Sequence, residues 1–337
     1  MQDQAPPQHT PSPAARLESV PFRPAPFRPA WGLANPNMQT IVSSLGRKLV
    51  KPAWLDGFIA QSEHRDIHVL DQHLTAQYTR TSKADAPVVI IIHGWLGSAD
   101  SSYVLSSAQA LHQAGFQVVR LTLRDHGGTA HLNEGLFHSA MTDEVVAAAQ
   151  FIMADFPHSR AGLMGFSMGG NFALRLAQQL PQLATLAICP AISPAHTVEQ
   201  IGGSLIYQRY FMGKWRTLWE QKQQAFPNSY DFAAMARYSS IQTLTEIFIA
   251  EHTDFASIDD YYAAYDLRGQ ALAGVKATIL AAQDDPIIPP QHYEDLPSTL
   301  TIELTAQGGH TAYIKNWGLE SWVDDYALAY FNAELIH

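Results

Sequence analysis

Three residues in a telling chain order carry the chemistry legible in this 337-residue sequence: Ser167, then Asp285, then His310. Ser167 is the centre of Gly165-Phe166-Ser167-Met168-Gly169, a G-x-S-x-G pattern. A serine hydroxyl is a poor nucleophile until a base takes its proton. On a sharp strand-to-helix turn this pattern presents the hydroxyl above a sheet, and its glycines leave room for the tight backbone. The pattern alone is common. Here residues 161–164 read as a strand and 169–180 as a helix, which is the context it requires. His310, in TAQGGHTAY, lies just past the last expected strand and suits a general base that later acts as acid. In AAQDDPIIPP, also past a strand, Asp285 or its neighbour Asp284 suits the carboxylate that fixes the imidazole tautomer.

A second constellation concerns charge that develops during such a reaction. His93-Gly94-Trp95 follows the β-branched run 88–92, and the backbone N–H groups of Trp95 and Met168 are expected to form an oxyanion hole. One such donor is worth about 3–4 kcal/mol in a transition state. His93 itself is expected to brace its loop. Arg124-Asp125-His126-Gly127-Gly128 reads as a strand-end turn in which Arg124 and Asp125 brace neighbouring loops. No H-E-x-x-H spacing occurs and Cys189 is the sole cysteine, so no metal site is expected. Cys189 follows an apolar run and reads as a small buried hydrophobe. Neither G-x-G-x-x-G nor a P-loop appears, so no cofactor is expected.

The elements that must position these residues alternate. Strands are expected at 67–70, 74–78, 87–92, 116–123, 161–164, 183–188, 275–281 and 299–304. Helices are expected at 102–114, 142–154 with Thr142 as N-cap, 169–180 and 319–335. Repeated βα units demand an α/β fold with a mainly parallel central sheet and helices on both faces. The alternation breaks at 193–274, which is helical and aromatic in pattern and suggests a cap over the C-terminal strand ends, where such sheets bind ligands. Tyr207, Tyr210, Phe211, Trp215, Leu218 and Trp219 recur at helical spacing within it. Most of that stripe is expected to pack as core, with one or two members facing a substrate. Residues 1–26, rich in Pro, Gln and Ala, read as a disordered arm, and 27–337 as one domain.

Apolar residues make up 47% of the chain and charged residues 15%, enough for a large core. The formal net charge of −10 argues against nucleic acid as a partner, since that needs a basic face. No run approaches a membrane span, and the N-terminus lacks a signal-peptide pattern, so a cytoplasmic location is expected.

With these residues in view, the chain resembles the YheT-type esterase family of the α/β-hydrolase superfamily, related to eukaryotic abhydrolase-domain lipid esterases. The likeness runs from about Phe27 to the C-terminus. It rests on Phe27-Arg-Pro-Ala-Trp31, Asn35-Pro-Asn-Met-Gln-Thr40-Ile41, His93-Gly-Trp-Leu-Gly-Ser98 with Ser102-Tyr103, and Phe137-His138-Ser139 with Asp143. Tyr207-Gln-Arg-Tyr-Phe211, Ile258-Asp-Asp-Tyr-Tyr262, Asp284-Asp285-Pro286 and Gly308-Gly-His310 extend it. Asp285 stands four residues before Pro289, as in the acid loop of such hydrolases, which favours it over Asp284. The sequence departs from the family pattern at Asn37, where His is usual, and at Asp125, where Gly is usual. The resemblance implies a serine hydrolase cleaving carboxylic esters, lipophilic acyl esters foremost, through a Ser167 acyl-enzyme. Acyl transfer to an alcohol is the alternative within enzymes, and a non-catalytic binding protein the alternative outside them.

Overall fold

The structure, a computed structural model, describes residues 24–49 and 51–336, so nearly all of the arm expected at 1–26 lies outside the described residues. One eight-stranded sheet organises the chain: β1 (Glu63–Val69), β2 (Gln72–Thr79), β3 (Val88–Ile92), β4 (Gln117–Thr122), β5 (Ala161–Phe166), β6 (Ala184–Ile188), β7 (Thr278–Ala282) and β8 (Thr301–Thr305). Their spatial order is β1-β2-β4-β3-β5-β6-β7-β8. β1 pairs antiparallel with β2, and β2 with β4, while the remaining pairings are parallel. Every residue of β3, β4 and β7 is buried, as parallel strands covered on both faces should be.

The first hairpin turns on Leu70 and Asp71, both with left-handed backbone (φ 50° and 58°). Such a two-residue turn matches the twist of its strands. It also corrects the expected strand 67–70, because Leu70 belongs to the turn and the strand begins earlier, at Glu63.

Helix α1 (Pro36–Ile41) precedes the sheet. Helices α2 (Ser102–Gln113), α3 (Thr142–Ala154) and α4 (Met168–Gln179) follow β3, β4 and β5. Helices α5 (Pro194–Gly203), α6 (Leu205–Ala225), α7 (Ile241–His252) and α8 (Ile258–Ala263) form an insertion between β6 and β7, and α9 (Trp322–Leu335) closes the chain. Helices α2 and α9 share one apolar cluster on one face of the sheet; α3 and α4 share the other. A third cluster joins the insertion to the ends of β6 and β7.

Three helix starts differ from expectation, the smallest difference being that α4 begins at Met168 rather than 169. Thr142 is the first residue of α3 rather than its cap: Met141 occupies the cap position, and the Thr142 hydroxyl donates to Ala140 O (3.4 Å) and accepts from Arg175 (2.5 Å). Helix α9 starts at Trp322, not 319, because Leu319 is left-handed (φ 61°) and Ser321 Oγ caps the helix by accepting from Val323 N. No helix among the described residues is long and apolar enough to cross a membrane.

Candidate active site

Ser167 sits between β5 and α4 with φ 55° and ψ −116°, a conformation L-residues rarely adopt. Its neighbours explain how the chain tolerates it. A Cβ on Gly165 would collide with the Gly169 backbone, and one on Gly169 would collide with the carbonyls of Ile92 and His93. Glycine at both positions lets β3, the turn and α4 close to contact. The Ser167 amide donates to Ile188 O (2.9 Å), and its carbonyl accepts from Asn171 N (3.1 Å). Left-handed residues also stand beyond other strand ends nearby, at Leu96, Asp125, Cys189 and Thr311. Backbone strain of this kind costs about 1–3 kcal/mol each and gathers at functional sites.

Ser167, His310 and Asp285 form a hydrogen-bonded line. His310 Nε2 lies 2.9 Å from Ser167 Oγ, and His310 Nδ1 lies 2.8 Å from Asp285 Oδ2. The carboxylate can only accept, so Nδ1 carries the proton and Nε2 is free to accept from the serine. Asp285 Oδ1 accepts from the amides of Ile287 (2.8 Å) and Ile288 (2.9 Å), which fixes the carboxylate. Asp284 is turned elsewhere: its Oδ1 accepts from Gly309 N (3.0 Å), and burial holds its carboxyl above the usual range.

The loop bearing Trp95 is braced from several sides. His93 Nδ1 donates to Gly94 O (2.8 Å) and its Nε2 accepts from Leu123 N (3.1 Å), so both ring nitrogens are spent on the backbone. Burial above all, with His126 nearby, pushes the His93 pKa well down and keeps the ring neutral. Tyr103 OH accepts from Gly94 N (2.9 Å), Lys214 Nζ donates to Leu96 O (2.9 Å), and Arg120 donates to Ala99 O (2.8 Å). Trp95 and Met168 both border a cavity of about 280 Å³ that also touches Ser167 and His310. Met168 opens α4, so its N–H has no acceptor within the helix and remains available.

The cavity runs along α6. All six members of the aromatic stripe, from Tyr207 to Trp219, border it, more than the one or two expected. Periodicity marks an apolar helix face; it does not say whether that face meets side chains or space. Trp215 and Trp219 do both: each is buried, their rings meet at a tilt of 43° with centres 4.6 Å apart, and each touches the cavity.

Three arrangements were missed by sequence reasoning. Lys222, fully buried on α6, pairs with Asp125 Oδ1 (2.8 Å) and also donates to Asn133 O (2.5 Å) and Gly135 O (3.0 Å). Asp125 Oδ2 accepts from Phe137 N (2.8 Å). Asp125 therefore braces, as expected of it, but through a partner in the insertion. Its left-handed φ of 62° explains why glycine suits that position. The signal for Lys222 was its phase: Met212, Trp215, Trp219 and Lys222 follow the 3-4-3 spacing of one buried helix face.

The second arrangement is at the leader, the segment of residues 27–41 that ends in α1. Thr40 Oγ1 accepts from His310 N (2.9 Å) and donates to Pro36 O (2.8 Å). Gln39 accepts from Ile314 N (2.7 Å) and donates to Leu33 O (2.9 Å). Asn37 accepts from Tyr207 OH (2.7 Å). Arg124 was expected to brace a neighbouring loop; it braces a helix instead, pairing with buried Glu144 of α3.

The third is the place of Cys189. It is buried, as expected, but its Sγ and one donor atom each of Asp285 and His310 lie within 4.8 Å of one another. Burial, then the Asp285 charge, drive the thiol pKa well up, so it stays protonated. A metal would need the thiolate, and Asp285 and His310 are already engaged with each other.

Comparison with known proteins agrees with this fold. Residues 87–211 match the family model described as alpha/beta hydrolase fold. The chain is 26% identical to an Escherichia coli protein named Putative esterase YheT, over 92% of this chain and 95% of that one. It is 22% identical to Putative esterase slr0264 of Synechocystis, over 90% and 95% of the two chains. Among solved structures, the Pyrococcus furiosus esterase Pf2001 superposes with a TM-score of 0.53 at 13% identity, covering 84% of this chain and 96% of that chain. The chain thus has the α/β-hydrolase fold and is similar, along nearly its whole length, to two proteins named as putative esterases, YheT among them.

Proposed function

We propose that this protein is a serine hydrolase that cleaves lipophilic carboxylic esters through an acyl-enzyme on Ser167. Ester hydrolysis as the broad activity follows from the fold together with the esterase relatives. One observation carries the mechanism: the line from Ser167 Oγ through His310 to Asp285, opening on an aromatic-walled cavity.

In this reading His310 Nε2 takes the Ser167 proton as Oγ attacks the ester carbonyl carbon. The carbonyl oxygen, now negative, is held by the N–H groups of Trp95 and Met168. His310 then gives its proton to the departing alcohol, leaving the acyl group on Ser167. Water enters, gives a proton to His310, attacks the acyl carbon and releases the acid while Ser167 recovers its proton. Asp285 stabilises the imidazolium at each half-step without being protonated. The apolar wall contributed by α6 favours a hydrocarbon acyl chain over a small polar one.

A fluorophosphonate probe should label the protein, and Ser167→Ala should abolish both labelling and turnover of p-nitrophenyl esters. Undiminished turnover in that variant refutes the mechanism. Within the same assay, kcat/KM should peak at medium or long acyl chains; a preference for acetate would refute the lipophilic part alone.

A further inference from the structure

The cavity wall carries an unneutralised positive charge. Lys214, on α6, borders the cavity and is partly buried. Its Nζ donates to Leu96 O (2.9 Å), one residue beyond Trp95, and lies 5.0 Å from the centre of the Tyr210 ring. Among the described residues it forms no ion pair with a carboxylate, whereas Arg124 and Lys222 each have one. An ammonium has three donors, and the Leu96 carbonyl uses one.

The remaining wall makes that charge conspicuous. Among the described residues, Lys214 is the sole lysine or arginine on it, and Asp125 the sole carboxylate. Asp125 is spent: Lys222 takes one oxygen and the Phe137 amide the other. Outside the Ser167 line, the cavity therefore holds one net positive charge, in a chain whose formal net charge is −10. Burial lowers His93 and His126, the latter to about 4, and the Lys214 charge adds a small push in the same direction to each. A cation beside the oxyanion loop, walled by aromatic rings, has the makings of a recognition point for an anion carried on an apolar skeleton.

We infer that Lys214 forms an anion subsite, so that the preferred esters carry a carboxylate or phosphate close to the scissile bond and hydrocarbon elsewhere. This rests on the reading that the cavity holds the ester. The alternative duty of Lys214, merely holding the Leu96 carbonyl, would give no preference for charge.

Equilibrium binding tests the two without needing turnover. Calorimetric titration of octyl phosphate, octanoate and 1-octanol compares three head groups on one chain length. The wild type should bind at least one of the anions about tenfold or more tightly than octanol, and the stronger anion tells phosphate from carboxylate. Lys214→Met should bring that ratio to within about twofold, Lys214→Gln should do the same, and Lys214→Arg should keep it. Salt should weaken the anions and spare octanol. Equal binding of all three by the wild type, or an anion preference that survives Lys214→Met, overturns the inference. An intact preference in a protein that turns over no ester would instead overturn the role of Ser167 and leave the subsite standing.

Discussion

Replacing Lys222 by methionine isolates the tie between the insertion and the sheet. Methionine has nearly the shape of the lysine stem and can pack beside Trp219, so the loss falls on the ammonium. That group makes three contacts, to Asp125 Oδ1, Asn133 O and Gly135 O, in a place where neither charged side chain is exposed. Burial outweighs the pair's attraction on both sides: it holds the Asp125 carboxyl up and the Lys222 ammonium down. Such a pair is worth little against apolar groups, yet removing one partner strands the other and costs about 3–5 kcal/mol. Against a total stability of about 5–15 kcal/mol that is a large loss. Urea unfolding followed by tryptophan fluorescence should show it as a lower midpoint at similar slope. Adding Asp125→Asn should recover a substantial part, because the amide tolerates left-handed backbone and can turn its NH₂ to the freed carbonyls. Acidity supplies a further check. Without Lys222 the Asp125 carboxyl rises further above its unfolded value. A raised value makes stability greatest in acid and lost as pH climbs through the folded pKa, so the deficit of Lys222→Met should be smaller at about pH 5 than at about pH 8. A single-variant cost below about 1 kcal/mol, or a double variant no more stable than the single, would refute the reasoning.

Two further expectations concern the loop that carries His310. Thr40→Val removes the acceptor of the His310 amide and should lower kcat several-fold with little change in KM; Thr40→Ser should restore it, and an unaltered Val variant would count against positioning by the leader. Gly309→Ala sets a Cβ 2.8 Å from Pro36 O and 2.9 Å from Thr40 Oγ1 at a left-handed residue, and should cost more activity than Thr40→Val, measured as kcat/KM on one p-nitrophenyl ester.

What the sequence disclosed follows from where its constraints are local. The turn at Ser167 is announced by its own glycines and by the strand and helix that flank it. Asp285 and His310 were singled out because each comes within a few residues after a strand, and strand ends meet along one edge of a parallel sheet whatever the loops between them do. The sheet was legible for a related reason: strands buried on both faces must be runs such as Val88–Ile92. Partners distant in the chain were not legible. His310 and Thr40 are 270 residues apart, and Lys222 and Asp125 97. Lys222 sits in the text WEQKQQ, which reads as a solvated face until its phase with Trp215 and Trp219 is counted. Helix starts failed for a local reason of another kind. A threonine before an apolar run is a fair cap only if the preceding backbone is extended past it, and at Thr142 the helix begins one residue early.

The leader and the insertion answer a single mechanical problem. The His310 loop follows β8, an edge strand with one neighbour and mostly partly exposed or exposed residues, so the sheet alone gives it few contacts. Helix α1 provides the missing side: Thr40 holds the His310 amide, Gln39 holds Ile314, and Gly309 lets the two backbones touch. On the other side, α6 is fastened at three points. Tyr207 bonds Asn37 of the leader, Lys214 bonds Leu96 of the loop that bears Trp95, and Lys222 bonds Asp125 beyond β4. These fastenings lie along one helix, and the aromatic stripe between them walls the cavity. Asn37 and Asp125 are each an anchor for that helix. Asn37→His should therefore strain the Tyr207 contact and lower the urea midpoint while leaving the line from Ser167 to Asp285, and fluorophosphonate labelling of Ser167, in place.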